Sequence, residues 1–331
     1  MKNEMRGMML PLGLNLWSEK NAADHLRCDD AIWREATDLM AAKGFNLVLI
    51  DLAEGLAYPS HPELAVKGSW SADRMRREVE RLKGMGLEPI PKLNFSTTHD
   101  LWLKEYHRMV STSEYYRVCA DLIRDVCDIF GHPRLIHLGF DEEDAPNQRR
   151  WDYCVIRQGE LWWHDFLWFA GEAEKYGMRP WIWSDKVWYH PDEFYRRMPK
   201  GVLQSAWFYE PSCDLAKIRS AHERNKIKCF IDMDKAGYDQ VPCGSNYGNE
   251  TNIGELVRFS RAKLSPERLK GFLMTSWYGL LPDTPERKNR TRNIRAIELA
   301  ATAFAIHLPK GESPKRFDDI AVNNNPKGVQ P

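Results

Sequence analysis

Eight short β-branched or aromatic runs alternate with longer amphipathic stretches along this chain, and the amphipathic stretches repeatedly end in a glycine. The runs are Leu12–Trp17, Phe45–Asp51, Glu88–Asn94, Leu135–Gly139, Arg179–Trp183, Val202–Trp207, Lys228–Met233 and Gly271–Trp277. Between and after them the spacing predicts helices over Asp29–Lys43, Ala72–Met85, Ser113–Phe130, Glu160–Tyr176, Pro191–Met198, Asp214–Asn225, Ile253–Lys263 and Asn289–Ile306. In the second, Met75, Val79, Leu82 and Met85 recur at three- and four-residue spacing behind Ser71, a plausible N-cap. Gly44, Gly86, Gly131 and Gly177 each follow a helix, where glycine accepts the left-handed turn back toward a strand. Eight successive βα units predict one (β/α)8 barrel. An open doubly wound sheet usually carries a Gly-rich phosphate loop after its first strand, and the chain has neither that loop nor a Walker loop. The expected organisation is a single catalytic barrel over residues 1–310, followed by a polar tail at 311–331.

Composition narrows the function classes. The 331 residues balance 47 basic against 47 acidic side chains, so no electrostatic reason exists for a nucleic-acid partner or an anionic membrane surface. No apolar run is long enough to span a bilayer, and the segment Met1–Leu14 lacks the pattern of a secretory signal. The chain therefore reads as cytoplasmic, with a secreted or periplasmic protein as the alternative had a leader been removed. Seven cysteines without a Cys-x-x-Cys pair predict reduced thiols and no zinc site. No cofactor or metal is expected. Thirteen Trp residues are either core or flat platforms for sugar rings, whose C–H faces suit an indole.

In such barrels the chemistry gathers where strands end. The strand ends supply Asn15 and Trp17, Asp51, Lys92 and Asn94 with His99 beyond, and His137 followed by Asp141-Glu142-Glu143-Asp144. The later ends supply Trp183 and Asp185, Trp207 and Tyr209, Asp234, then Trp277 and Tyr278. Crowded carboxylates push each other's pKa apart, the division of labour that glycoside cleavage requires. Plainer roles compete: Asp51 and Asp185 as helix caps, His137 as a hydrogen-bonded core residue, Lys92 as neutraliser of a buried carboxylate, and Glu143 and Asp144 as a solvated loop.

The segment Ile136-His137-Leu138-Gly139-Phe140-Asp141-Glu142 resembles the His-x-Gly-Gly-Asp-Glu signature of family 20 glycoside hydrolases, the β-N-acetylhexosaminidases, with Phe140 in place of one glycine. Phe45–Leu49 through Tyr58-Pro59 and Pro62-Glu63-Leu64 looks like that family's second strand and following loop. Pro89–Asn94 resembles its third strand, Trp181–Asp185 its fifth-strand Trp-Asp-Glu region, and Met274–Trp277 its last-strand Trp. The resemblance covers roughly residues 45–280. It implies Glu142 as acid/base and Asp141 as the group that orients the substrate's 2-acetamido arm, whose own oxygen attacks the anomeric carbon. It implies Trp183 and Trp277 as walls of the acetamido pocket, with Tyr209 or Tyr238 as a hydrogen-bond donor. The remaining substrate-binding candidates are Asn15, Asp51, Asn94, His99, His137, Asp185, Trp207, Asp234 and Tyr278.

The chain also departs from the pattern. The family's third-strand Glu and Asp are Lys92 and Asn94 here, its loop His aligns with Thr98, one residue before His99, and the Glu after the last Trp is Tyr278. Its first-strand Arg is not evident, and the small α/β domain before its barrel has no counterpart in these residues. The expectation is a divergent, retaining, exo-acting hydrolase of 2-acetamido sugars that binds carbohydrate. Two alternatives are a divalent-metal sugar isomerase or epimerase built on His137, Glu142, Asp185 and Asp234, and a non-catalytic carbohydrate-binding barrel.

Overall fold

A computed structural model describes residues 4–13, 24–148 and 154–306. Eight parallel strands form one sheet: β1 (Met5–Pro11), β2 (Leu47–Asp51), β3 (Glu88–Lys92), β4 (Leu135–His137), β5 (Arg179–Trp183), β6 (Leu203–Ser205), β7 (Cys243–Ser245) and β8 (Gly271–Thr275). Neighbours in sequence are neighbours in space, and β1 also pairs with β8. Parallel bridges Gln204↔Gln240 and Trp207↔Cys243 join β6 to the β7 region and close the barrel. The helices that return the chain are α1 (Asp30–Ala42), α2 (Ala72–Gly84), α3 (Ser113–Phe130), α4 (Gly159–Lys175), α5 (Pro191–Arg197), α6 (Ala221–Lys235), α7 (Asn252–Lys263) and α8 (Asn289–Phe304). The predicted (β/α)8 barrel is thus the observed fold.

Strand alternation sorts the core into two layers. Met5, Met9, Leu47, Leu49, Ile90, Leu135, Trp181, Leu203 and Leu273 fill the barrel interior. Met8, Leu10, Val48, Ile50, Ile136, Ile182, Phe272 and Met274 face the helices. Helix starts follow their caps: Asp29 accepts from Ala31 N and Ile32 N, Ser71 from Arg74 N, and Thr112 from Tyr115 N.

Two strands differ from expectation. β1 lies at Met5–Pro11, upstream of Leu12–Trp17, because its Gly7 and methionines carry no β-branched signal. Asn15 and Trp17 fall outside the described residues, as do residues 311–331. The run Lys228–Met233, expected as a strand, lies inside α6, and Asp214–Asn225 is mostly loop. A short apolar run has the same composition in a buried helix as in a strand. The segment does carry a helix start: Ser220 caps Glu223 N, three residues on. The true β7 is Cys243–Ser245, three small residues.

Candidate active site

The C-terminal ends of the strands surround a cavity of about 720 Å³, within the 300–1,000 Å³ usual for ligand pockets. Asp141 and Glu142 both line it. In a continuing strand adjacent side chains would point to opposite faces. Here Phe140 has φ +70° and Glu142 φ +54°, so the chain leaves the strand path and turns both carboxylates to one cavity. Left-handed conformations cost about 1–2 kcal/mol for residues with a Cβ. At Phe140 that cost is offset by packing: its ring meets Trp162, Phe166 and Phe169 at 5.4–5.6 Å and Arg157 at 5.0 Å. Gly139, at φ +80°, has no substitute, because a Cβ there would stand 1.9 Å from Asn94 Oδ1.

Asp141 is the better buried of the pair, its side chain 10% exposed against 34% for Glu142. Asn94 Nδ2 donates to Asp141 Oδ1 at 3.1 Å, and Asn94 Oδ1 accepts from Ser96 N at 3.0 Å. Ser96 Oγ donates to the Asp141 carbonyl, and Thr98 Oγ1 to the Glu142 carbonyl at 2.5 Å. His99 Nε2 sits 3.4 Å from Asp141 Oδ2 and 3.3 Å from Glu142 Oε2. These are ionic contacts, since neither has the direction of a good hydrogen bond. Burial disfavours an imidazolium, but Asp141 and Glu142 outweigh it and lift the His99 pKa to about 9. At neutral pH His99 is therefore a cation in contact with both carboxyl groups.

Asp185 does not line the cavity. It stands behind Glu142, accepting from Glu142 N at 3.1 Å and from Trp207 Nε1 at 2.7 Å. Burial, and then the charges of Asp141 and Glu142, push its pKa well up. Asp51 lines the cavity and accepts from Lys92 Nζ at 2.6 Å, while its Oδ1 is buried without a protein partner. Burial raises the Asp51 pKa, and Lys92 opposes that.

Aromatic side chains make the walls. Trp183 and Trp277 have ring centroids 6.2 Å apart, and Trp207 stacks on Tyr209 at 5.0 Å. Trp277, at φ +58°, donates from Nε1 to Tyr209 Oη at 3.0 Å. Tyr278 completes this side.

The structure thus brings Asp51, Asn94, His99, Asp141, Glu142, Trp183, Trp207, Tyr209, Trp277 and Tyr278 to one cavity. Besides Asp185, three expected residues stand elsewhere. His137 is fully buried beneath Trp183, ring centroids 4.6 Å apart; its Nδ1 accepts from Gly139 N, and burial, with Lys92, holds it neutral. Asp234 lies on α6 at the opposite end of the barrel, where it accepts from Ser265 N and Oγ at 3.0 and 2.8 Å. Helix C-termini in a βα barrel lead to strand starts, so a residue there cannot reach the strand ends. Tyr238 follows the same helix and donates to the Met198 carbonyl. The metal set His137, Glu142, Asp185 and Asp234 is therefore not assembled. Glu143 is no solvated loop residue: it pairs with buried Arg157 and accepts from Thr97 N.

Sequence reading passed over Asn147, Tyr247, Glu286, Arg287, Lys288 and Arg292, which also line the cavity. Tyr247 stands two residues past β7, as Trp207 and Trp277 stand past β6 and β8, so placing β7 correctly would have found it. The other five sit on loops or a helix start with no periodic signal.

Fold and site together define a (β/α)8 barrel with a carboxylate pair at the base of an aromatic-walled pocket. Its likeness to solved structures is to β-N-acetylhexosaminidases. The enzyme from Bacteroides fragilis NCTC 9343 superposes with a TM-score of 0.63 at 16% identity, covering 96% of this chain and 68% of that one. Flavobacterium johnsoniae chitobiase gives 0.60 at 18%, covering 91% and 48%. Streptomyces plicatus N-acetyl-β-hexosaminidase, solved with Thio-NAglucal, gives 0.59 at 13%, covering 89% and 63%. The chain thus spans about half to two-thirds of the length of these proteins, and at such identity the likeness establishes a shared barrel fold. No protein-family model matches the chain, and no curated protein does. Among the described residues no helix is long and apolar enough to cross a membrane.

Proposed function

We propose that this protein is a glycoside hydrolase that releases a terminal 2-acetamido sugar with retention of configuration. The observation that carries the reading is the turn at Glu142, which gives two adjacent carboxylates one cavity between Trp183 and Trp277.

The sugar's acetamide oxygen attacks its own anomeric carbon as the glycosidic C–O bond breaks. Glu142 passes its proton to the departing oxygen. Asp141, held by Asn94, accepts a hydrogen bond from the acetamide N–H and offsets the positive charge of the cyclic oxazolinium. Water then attacks the anomeric carbon and gives its proton to Glu142, and the ring C–O bond opens to restore the acetamide. The imidazolium of His99, 3.4 Å from Asp141 and 3.3 Å from Glu142, offsets the Asp141 carboxylate while Glu142 carries the proton of the acid step, and the indoles exclude bulk water, which strengthens each of these interactions.

An aryl N-acetyl-β-hexosaminide is the direct probe. The protein should cleave it, and Glu142→Gln should lower kcat at least about a hundredfold, the scale of general acid catalysis. The loss should be larger for poorer leaving groups. The reading fails if N-acetylated and plain aryl glycosides all remain intact. Saccharide binding that Glu142→Gln leaves unchanged, with no hydrolysis, would mark a carbohydrate-binding barrel instead.

A further inference from the structure

We infer that the mouth of the cavity selects a saccharide carrying an anionic group, such as a sulfate, phosphate or carboxylate; the inference rests on the glycosidase reading above and names its substrate class. Arg287, Lys288 and Arg292 all line the cavity, with Glu286 as the one acidic residue beside them. Around the reacting pair the charges are already matched, Lys92 with Asp51 and His99 with Asp141 and Glu142, so the excess positive charge of the cavity sits at the lip.

The lip is a built turn. Thr284 N donates to the Arg287 carbonyl at 2.9 Å, Arg287 N to Thr284 Oγ1 at 3.1 Å, and Thr291 N to Asp283 Oδ1 at 3.1 Å. The guanidinium carbons of Arg287 and Arg292 lie 5.6 and 5.9 Å from the Tyr278 ring, so both converge on one wall. Asp283 bonds Thr291 and Glu250 bonds Arg295 at 2.7 Å; each also feels one of these cations from further off, Asp283 that of Lys288 and Glu250 that of Arg292, without closing an ion pair. Among the described residues none of the three cations forms an ion pair.

This arrangement leaves positive charge in excess at the lip. Three cations stand together at the N-terminal end of α8, where the helix dipole is already positive. An anion bridging two guanidinium groups would relieve both effects and would match their paired N–H geometry. A neutral sugar would not. The cations Lys92 and His99 are already engaged by Asp51, Asp141 and Glu142, which leaves the anion to the lip and not to the reacting bond.

The test compares kcat/KM for an aryl 2-acetamido glucoside with its 6-O-sulfate and its 6-phosphate. A further arm carries a carboxylate on the leaving group. At least one anionic arm should exceed the neutral parent by roughly tenfold, and the advantage should shrink as salt screens the exposed cations. In the triple variant Arg287→Gln, Lys288→Gln, Arg292→Gln the ratio should fall to about one. Equal rates on all arms, or a preference that survives the triple variant, would overturn the inference. If no glycoside is cleaved, the hydrolase reading fails, and calorimetry with the sulfated and neutral saccharides decides the lip separately. Tighter, salt-sensitive binding of the sulfated form, lost in the triple variant, supports it; equal binding or none overturns it.

Discussion

The cation at His99 makes the fold sensitive to mild alkali. Burial opposes its charge, yet Asp141 and Glu142 raise its pKa from 6.5 to about 9. Between those values the unfolded chain has lost this proton and the folded chain keeps it, so rising pH favours unfolding. The slope is about 1.4 kcal/mol per pH unit, and the whole window is worth ~3 kcal/mol. That stability is present in full below pH 6.5 and gone above about pH 9. Urea unfolding followed by tryptophan fluorescence at pH 6 and pH 9.5 measures it directly, with His99→Gln as the reference. Asp51, Asp100 and Asp185 also have raised pKa values, all from burial first. They remain in both proteins and largely cancel; Asp51 and Asp100 lose the lowering influence of the His99 charge in the variant, so the difference between the two pH slopes reports His99 together with its electrostatic neighbours. Wild type should lose ~3 kcal/mol more than the variant over this range. Equal losses would refute the imidazolium between the carboxylates.

Three further substitutions probe the supports of the pair. Gly139→Ala places a methyl 1.9 Å from Asn94 Oδ1 at a left-handed φ; conformation and overpacking together should cost ~2–5 kcal/mol by urea unfolding, with loss of turnover as Asn94 leaves Asp141. Asp185→Asn puts an amide donor against either Glu142 N or Trp207 Nε1 and so loses one of two bonds; as a positioning change it should lower kcat roughly tenfold or more with little effect on KM, and shift the pH profile of kcat. A KM-only effect would place Asp185 on the substrate instead. Lys92→Met strands the Asp51 carboxylate beside the barrel interior and should destabilise by ~3–5 kcal/mol, partly restored by adding Asp51→Asn.

How far the sequence foretold this molecule depended on whether a residue's role was local. α3 and β5 lie where periodicity and alternation place them, because a capped amphipathic helix and a Trp-Ile-Trp strand carry their burial pattern in their own residues. β1 and β7 were misread because small and unbranched residues form strands only when the barrel pairs them. That error carried Asp234 to the wrong end of the barrel and hid Tyr247. The Asp141-Glu142 pair was legible as a motif, but the reason both reach one cavity was not, since the positive φ at Glu142 belongs to no local preference. His99 was found next to the position where the motif places its His, and its ring reaches both carboxyl groups. Arg287, Lys288 and Arg292 belong to no motif or periodic pattern, and only the path of the chain after β8 brings them to the cavity.

A structure of the protein with an oxazoline-like inhibitor tests the central claim most directly. The acetamide-derived ring should lie between Trp183 and Trp277, its nitrogen on Asp141, with the Glu142 carboxyl facing the anomeric carbon. An inhibitor bound away from these two carboxylates, or excluded from the cavity in saturating solution, would contradict the account.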